Sequence, residues 1–105
     1  MKFVVKALTL VQIKCGPKKC QADPGIVVAR PGCHIKFQNL TSDVVHVNLS
    51  EEKLLGVRGF KIAAHKHKTR KVGNVKRGMY PYAVFCEENR EFCEGSSMPI
   101  IIVPK

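Results

Sequence analysis

Two neighbouring stretches of this chain alternate between apolar and polar residues with a period of two, the period of a strand. In Cys33 to Asn39, Cys33, Ile35 and Phe37 fall on one side and His34, Lys36 and Gln38 on the other. After the polar turn Thr41-Ser42-Asp43, the run Val44 to Leu49 sets Val45, Val47 and Leu49 against His46 and Asn48. Successive side chains of a strand project to opposite faces, so each run is a strand with one face on a core and one toward water. The phase sends Val45 inward and His46 outward.

The rest of the chain fits that reading. Val and Ile together number 20, against 15 for Leu, Ala and Met, and β-branched side chains pack better on a pleated surface than in a helix. Residues 2 to 13 read as a first strand. Lys6 interrupts their apolar run and no small-residue cleavage site follows, which argues against a signal peptide. Cys15-Gly-Pro-Lys-Lys-Cys20 and Asp23-Pro24-Gly25 are dense in turn formers and read as a loop. Further short strands are expected over Ile26–Arg30, Val57–Ala64, His65–Val72, Tyr80–Cys86 and Ile100–Val103. Ser50 to Gly56 offers an N-cap Ser, acids in the first turn and a terminal Gly, the single helix candidate. Seven or eight short strands and at most one short helix describe an all-β sandwich or barrel of antiparallel type.

At 105 residues the chain is a single domain, 1–105. No apolar run approaches the roughly 20 residues of a membrane span. The formal charge is +10, and it is segregated. Nine basic residues and no acid lie between Lys53 and Arg77, whereas four of the eight acids fall between Glu87 and Glu94. Lys61, Lys66, Lys68, Arg70, Lys71, Lys76 and Arg77 form a basic patch suited to an acidic protein or an anionic surface. A basic barrel binding single-stranded nucleic acid is the third reading. It lacks stacking residues, since none of the seven aromatics lies in the densest basic run, His65 to Lys71. His65 and His67 have a metal-ligand spacing on one strand face, but their setting is that of a solvated basic strand. No Ser, His and acid constellation, phosphate loop or HExxH motif points to an enzyme.

Three segments resemble the cupredoxins, the Greek-key β-sandwich family of plastocyanins and azurins. Pro31-Gly32-Cys33-His34-Ile35-Lys36-Phe37-Gln38-Asn39 is similar to the family's Gly, apolar, aromatic, Asn strand. Tyr82-Ala83-Val84-Phe85-Cys86 is similar to its Tyr-x-aromatic-x-Cys strand, and Gly95-Ser96-Ser97-Met98 before Ile100-Ile101-Ile102-Val103 to its Met followed by a last apolar strand. The family holds a type 1 copper ion with two His, a Cys thiolate and a weak axial Met. The resemblance implies Cys86 as thiolate and Met98 as axial ligand. It also asks for two His. The segment Glu87 to Ser97 contains none, and Val45, not His46, has the inward phase. The expected copper centre is therefore degenerate and the expected cofactor is none, with copper as the alternative.

Five Cys cannot all pair within one chain. Cys15 and Cys20 can clamp their Gly-Pro turn, and Cys86 and Cys93 can close a small loop, which leaves Cys33 as a buried free thiol. The resemblance also implies an azurin-like bridge from Cys15 or Cys20 to Cys33, and Cys15, Cys20, Cys86 and Cys93 together can be four zinc ligands. The sequence does not choose among them. The leading expectation is a non-enzymatic cupredoxin-like binding or structural module, periplasmic or secreted. The runner-up is a copper electron-transfer cupredoxin with Cys86, Met98 and His46 rephased inward.

Overall fold

The structure is a computed structural model that describes residues 8–15, 20–88, 91–92 and 99–104. Among these residues the chain forms ten strands and one helical turn, β1 (Leu8–Cys15), β2 (Cys20–Asp23), β3 (Ile26–Val28), β4 (His34–Asn39), β5 (Val45–Leu49), α1 (Glu52–Leu55), β6 (Gly59–Ile62), β7 (His67–Lys71), β8 (Gly78–Cys86), β9 (Glu91–Phe92) and β10 (Ile100–Val103). They lie in two sheets. One has the order β2-β1-β4-β7, the other β3-β10-β8-β5-β6, with β9 pairing on β8.

The expected all-β sandwich is the observed architecture, with one difference in pairing. β1 runs parallel to β4, and β10 parallel to β3, so the sheets are mixed and not antiparallel throughout. The cause is the path of the chain. After the β1–β2 hairpin it crosses to the other sheet for β3, then returns to lay β4 along the free side of β1. A strand that returns after such a crossover runs in the direction of its neighbour.

The alternation read from the sequence becomes the core. Val11 and Ile13 of β1, Ile35 and Phe37 of β4, Val45 and Val47 of β5, Tyr82, Val84 and Cys86 of β8, and Ile101 of β10 are all buried between the sheets. Phe37 meets Phe60 and Tyr82 edge to face, with ring centroids 5.4 and 5.9 Å apart, and so joins one sheet to the other.

A buried polar clamp fixes the β4–β5 turn. The Asn39 side-chain amide donates to the carbonyls of Asp43, Ile62 and Ala63, while its Oδ1 accepts from the amide and hydroxyl of Thr41. These bonds satisfy the buried Asn39 side chain and give the Thr41 amide its acceptor. They also set where β5 begins, and hence the phase of Val45 and His46.

Three local expectations are corrected. The strand over residues 2–13 runs on to Cys15 in its described part. The helix cap is Glu51 and not Ser50, with the Glu51 carboxylate accepting from the Lys53 amide. His65 adopts φ 61° in the turn between β6 and β7, so His65 and His67 do not share a strand face.

Candidate metal centre

Cys86 is the last residue of β8 and has the inward phase of Tyr82 and Val84, which leaves it fully buried. Its Cα partner on β5 is Val45, also fully buried. His46 is one residue out of phase. Its Nε2 lies 3.1 Å from Glu87 Oε1 on the outer side of the sheet, and its ring neighbours Phe85 at a centroid distance of 6.1 Å. The rephasing that would bring His46 beside Cys86 is absent. A bulge would be needed to turn it, and β5 pairs with β8 in unbroken register from Val45 to Leu49.

The same end of the sandwich carries a different set of donors. Cys15 ends β1 in the inward phase of Val11 and Ile13, and its Cα partner across the hairpin is the fully buried Cys20. The two are joined in a disulfide that closes a sequence separation of five residues. The sulfur atoms of Cys15, Cys20 and Cys86 all lie within 4.8 Å of one another. Chain order hid this cluster. With the first strand ending at residue 13, Cys15 read as a loop residue; carried one step further, the Val11, Ile13, Cys15 alternation places it on the core side, facing the sheet that holds Cys86.

Cys33 precedes β4 and is half-buried, not the buried thiol expected, and the bridge runs from Cys15 to Cys20 and not to Cys33. Cys93 and Met98 lie outside the described residues, and with them the Cys86–Cys93 bridge and the axial ligand.

These residues do not fit a type 1 copper ion. That centre needs imidazole nitrogen beside the thiolate, and the inward position next to Cys86 is filled by the isopropyl group of Val45. Among the described residues, what the arrangement offers chemically is sulfur.

The basic residues do not form one flat face. Lys71 stands in register with His34, and Thr69 with Lys36, on the outer side of the first sheet. Lys61 lies on β6, the end strand of the second sheet, and Lys66 in the turn that joins β6 to β7. The charge therefore wraps the side of the sandwich where both sheets end. Arg70 has a structural share in that wrapping. Its guanidinium sits 5.8 Å from the Phe60 ring centre and donates to the Leu55 carbonyl. On the opposite flank of β5, Glu88 Oε1 accepts from the Ser42 amide and hydroxyl. Those two bonds hold the Glu88 carboxyl below the usual carboxylate range.

No family model matches the chain, and no curated protein matches it. Solved structures do. A methionine-to-alanine variant of amicyanin in its Cu(I) form matches with a TM-score of 0.59 at 13% identity, over 95% of this chain and 85% of that one. A proline-to-glycine variant of amicyanin, reduced at pH 4, matches with a TM-score of 0.58 at 13% identity over the same shares. The copper nitrite reductase of Nitrosomonas europaea matches with a TM-score of 0.57 at 10% identity, over 95% of this chain and 49% of that one. The chain has the cupredoxin-like β-sandwich fold, and spans about half of the reductase.

Proposed function

We propose that this chain is a non-enzymatic cupredoxin-fold binding module that has no type 1 copper centre. The observation that carries the reading is Val45, buried opposite Cys86 where the resemblance asks for an imidazole. The amicyanin and nitrite reductase likenesses are of fold, and a fold does not carry its site along when the ligands are replaced. The Cys15–Cys20 bridge supports an oxidising compartment, periplasmic or extracellular. The basic wrap around β6 and β7 supports transient docking of an acidic protein, with an association rate that falls as salt rises. Nucleic acid is the weaker partner, because the aromatic ring amid the basic residues, Phe60, packs against Phe37 and lies under Arg70.

The test is a Cu(II) titration of the reduced protein followed by visible absorption. No intense thiolate-to-copper band is expected. A strong blue or red colour that disappears in Cys86→Ser would overturn the proposal.

A further inference from the structure

The sulfur cluster shares only Cys86 with the copper set that the resemblance implies, and has a chemistry of its own. We propose that Cys15, Cys20 and Cys86 form a redox-gated site for a soft monovalent d10 cation, with Cu(I) as the ion to test. The site is masked while Cys15 and Cys20 are bridged and opens when they are reduced.

Geometry carries the first half. Three sulfurs each about 2.3 Å from one ion stand about 4 Å apart. The Cys15, Cys20 and Cys86 sulfurs are already within 4.8 Å of one another, so a trigonal set needs only side-chain adjustment once the bridge is open. The three come from three strands, β1, β2 and β8, held by the β1–β2 hairpin on one sheet and by the β5–β8 pairing on the other. Cys20 and Cys86 are fully buried, and Val45 stands in register with Cys86. Thiolate sulfur in an apolar pocket selects soft ions, and three donors suit a low-coordinate monovalent ion better than Zn(II), which takes a tetrahedral set of four.

The gate follows from the bridge. In the bridged state two of the three sulfurs are cystine and cannot ligate as thiolates. A dithiol reductant supplies two electrons and two protons, so the bridge becomes two thiols and the reductant becomes a disulfide. Each sulfur that then ligates releases its proton to solvent. Cys15 is the half-buried member of the pair, and the reductant reaches the bridge from its side.

The experiment presents Cu(I) from a chromophoric Cu(I) chelator, without oxygen, to the full chain in its bridged and dithiol-reduced forms. The reduced form should take one Cu(I) per chain from the chelator, and the bridged form should bind at least a hundredfold more weakly. Compared with the Cu-free reduced protein, the native Cu(I)-loaded protein should show slower alkylation of Cys15, Cys20 and Cys86, read by mass spectrometry, with the rate at Cys33 unchanged. That readout needs no variant and so does not depend on how any variant folds. Cys86→Ser and Cys15→Ser should each lose at least tenfold in affinity, with Cys33→Ser unchanged. Four results would overturn the site: Cu(I) left with the chelator, equal binding by the bridged form, a footprint that omits any of the three Cys, or Zn(II) held by the same three Cys in preference to Cu(I).

Discussion

Val45 and Cys86 face each other as Cα partners of β5 and β8, and neither exposes any surface. Replacing Val45 by His puts an imidazole against the Cys86 sulfur in a pocket shaped for an aliphatic group. Burying a polar ring without a partner costs about 1–3 kcal/mol, so Val45→His should unfold at a lower denaturant concentration than the parent when no metal is present. Added Cu(II) should recover part of that loss and raise an absorption band that the parent lacks. An unchanged spectrum would show that one restored imidazole beside Cys86 is not enough to hold Cu(II).

Asn39 is the polar pivot of the same end. Asn39→Ala would remove the acceptor of the Thr41 amide and the side-chain donor to the Ile62 carbonyl, while the Asp43 carbonyl keeps the Thr41 hydroxyl and the Ala63 carbonyl keeps the Lys66 amide, at about 1–3 kcal/mol for each group left dry. We expect a loss of about 3 kcal/mol by chemical denaturation. Asn39→Asp should be worse than Asn39→Ala, because a carboxylate would face three carbonyl oxygens with no proton to donate.

The fold was legible because its signal is local. The alternation of Ile35 and Phe37 with Lys36, and of Val45 and Val47 with His46, determines which face each strand buries, and the structure keeps both phases. The parallel pairing of β1 with β4 was not legible, since nothing in either segment records that β3 lies in the other sheet between them. Half of the candidate site could be read as well. That Val45 and not His46 faces Cys86 followed from phase alone, and the Cys15–Cys20 bridge was one of the pairings that the spacing left open. The approach of that pair to Cys86 could not be read, because it depends on two sheets closing over each other and joins residues about seventy positions apart.

The Cys15–Cys20 bridge closes a small loop, and in the chain-entropy account a loop of that size contributes about 2 kcal/mol by restricting the unfolded chain. Cys15→Ser with Cys20→Ser should lower stability by about that amount and leave the far-ultraviolet circular dichroism of the sheets unchanged. Non-reducing peptide mapping of the parent should recover Cys15 and Cys20 in one linked fragment. Recovery of either in a fragment with Cys33 would contradict the observed pairing.

Glu88 ties the end of β8 to the β4–β5 turn through the Ser42 amide and hydroxyl. These donors favour the carboxylate, so the folded-state value lies below the ordinary one. A carboxyl lowered by folding adds stability at pH values above its unfolded-state value, and that addition is lost as pH falls through the folded-state value. Glu88→Gln removes the charge that the Ser42 donors favour. Compared in urea from neutral to acidic pH, parent and variant should differ most at neutral pH and converge as the parent's carboxylate takes up its proton. The carboxylate is solvent-exposed, so the neutral-pH difference should be small and should shrink with added salt. A gap that stayed constant down to acidic pH would assign the effect of the substitution to something other than the Ser42 contact.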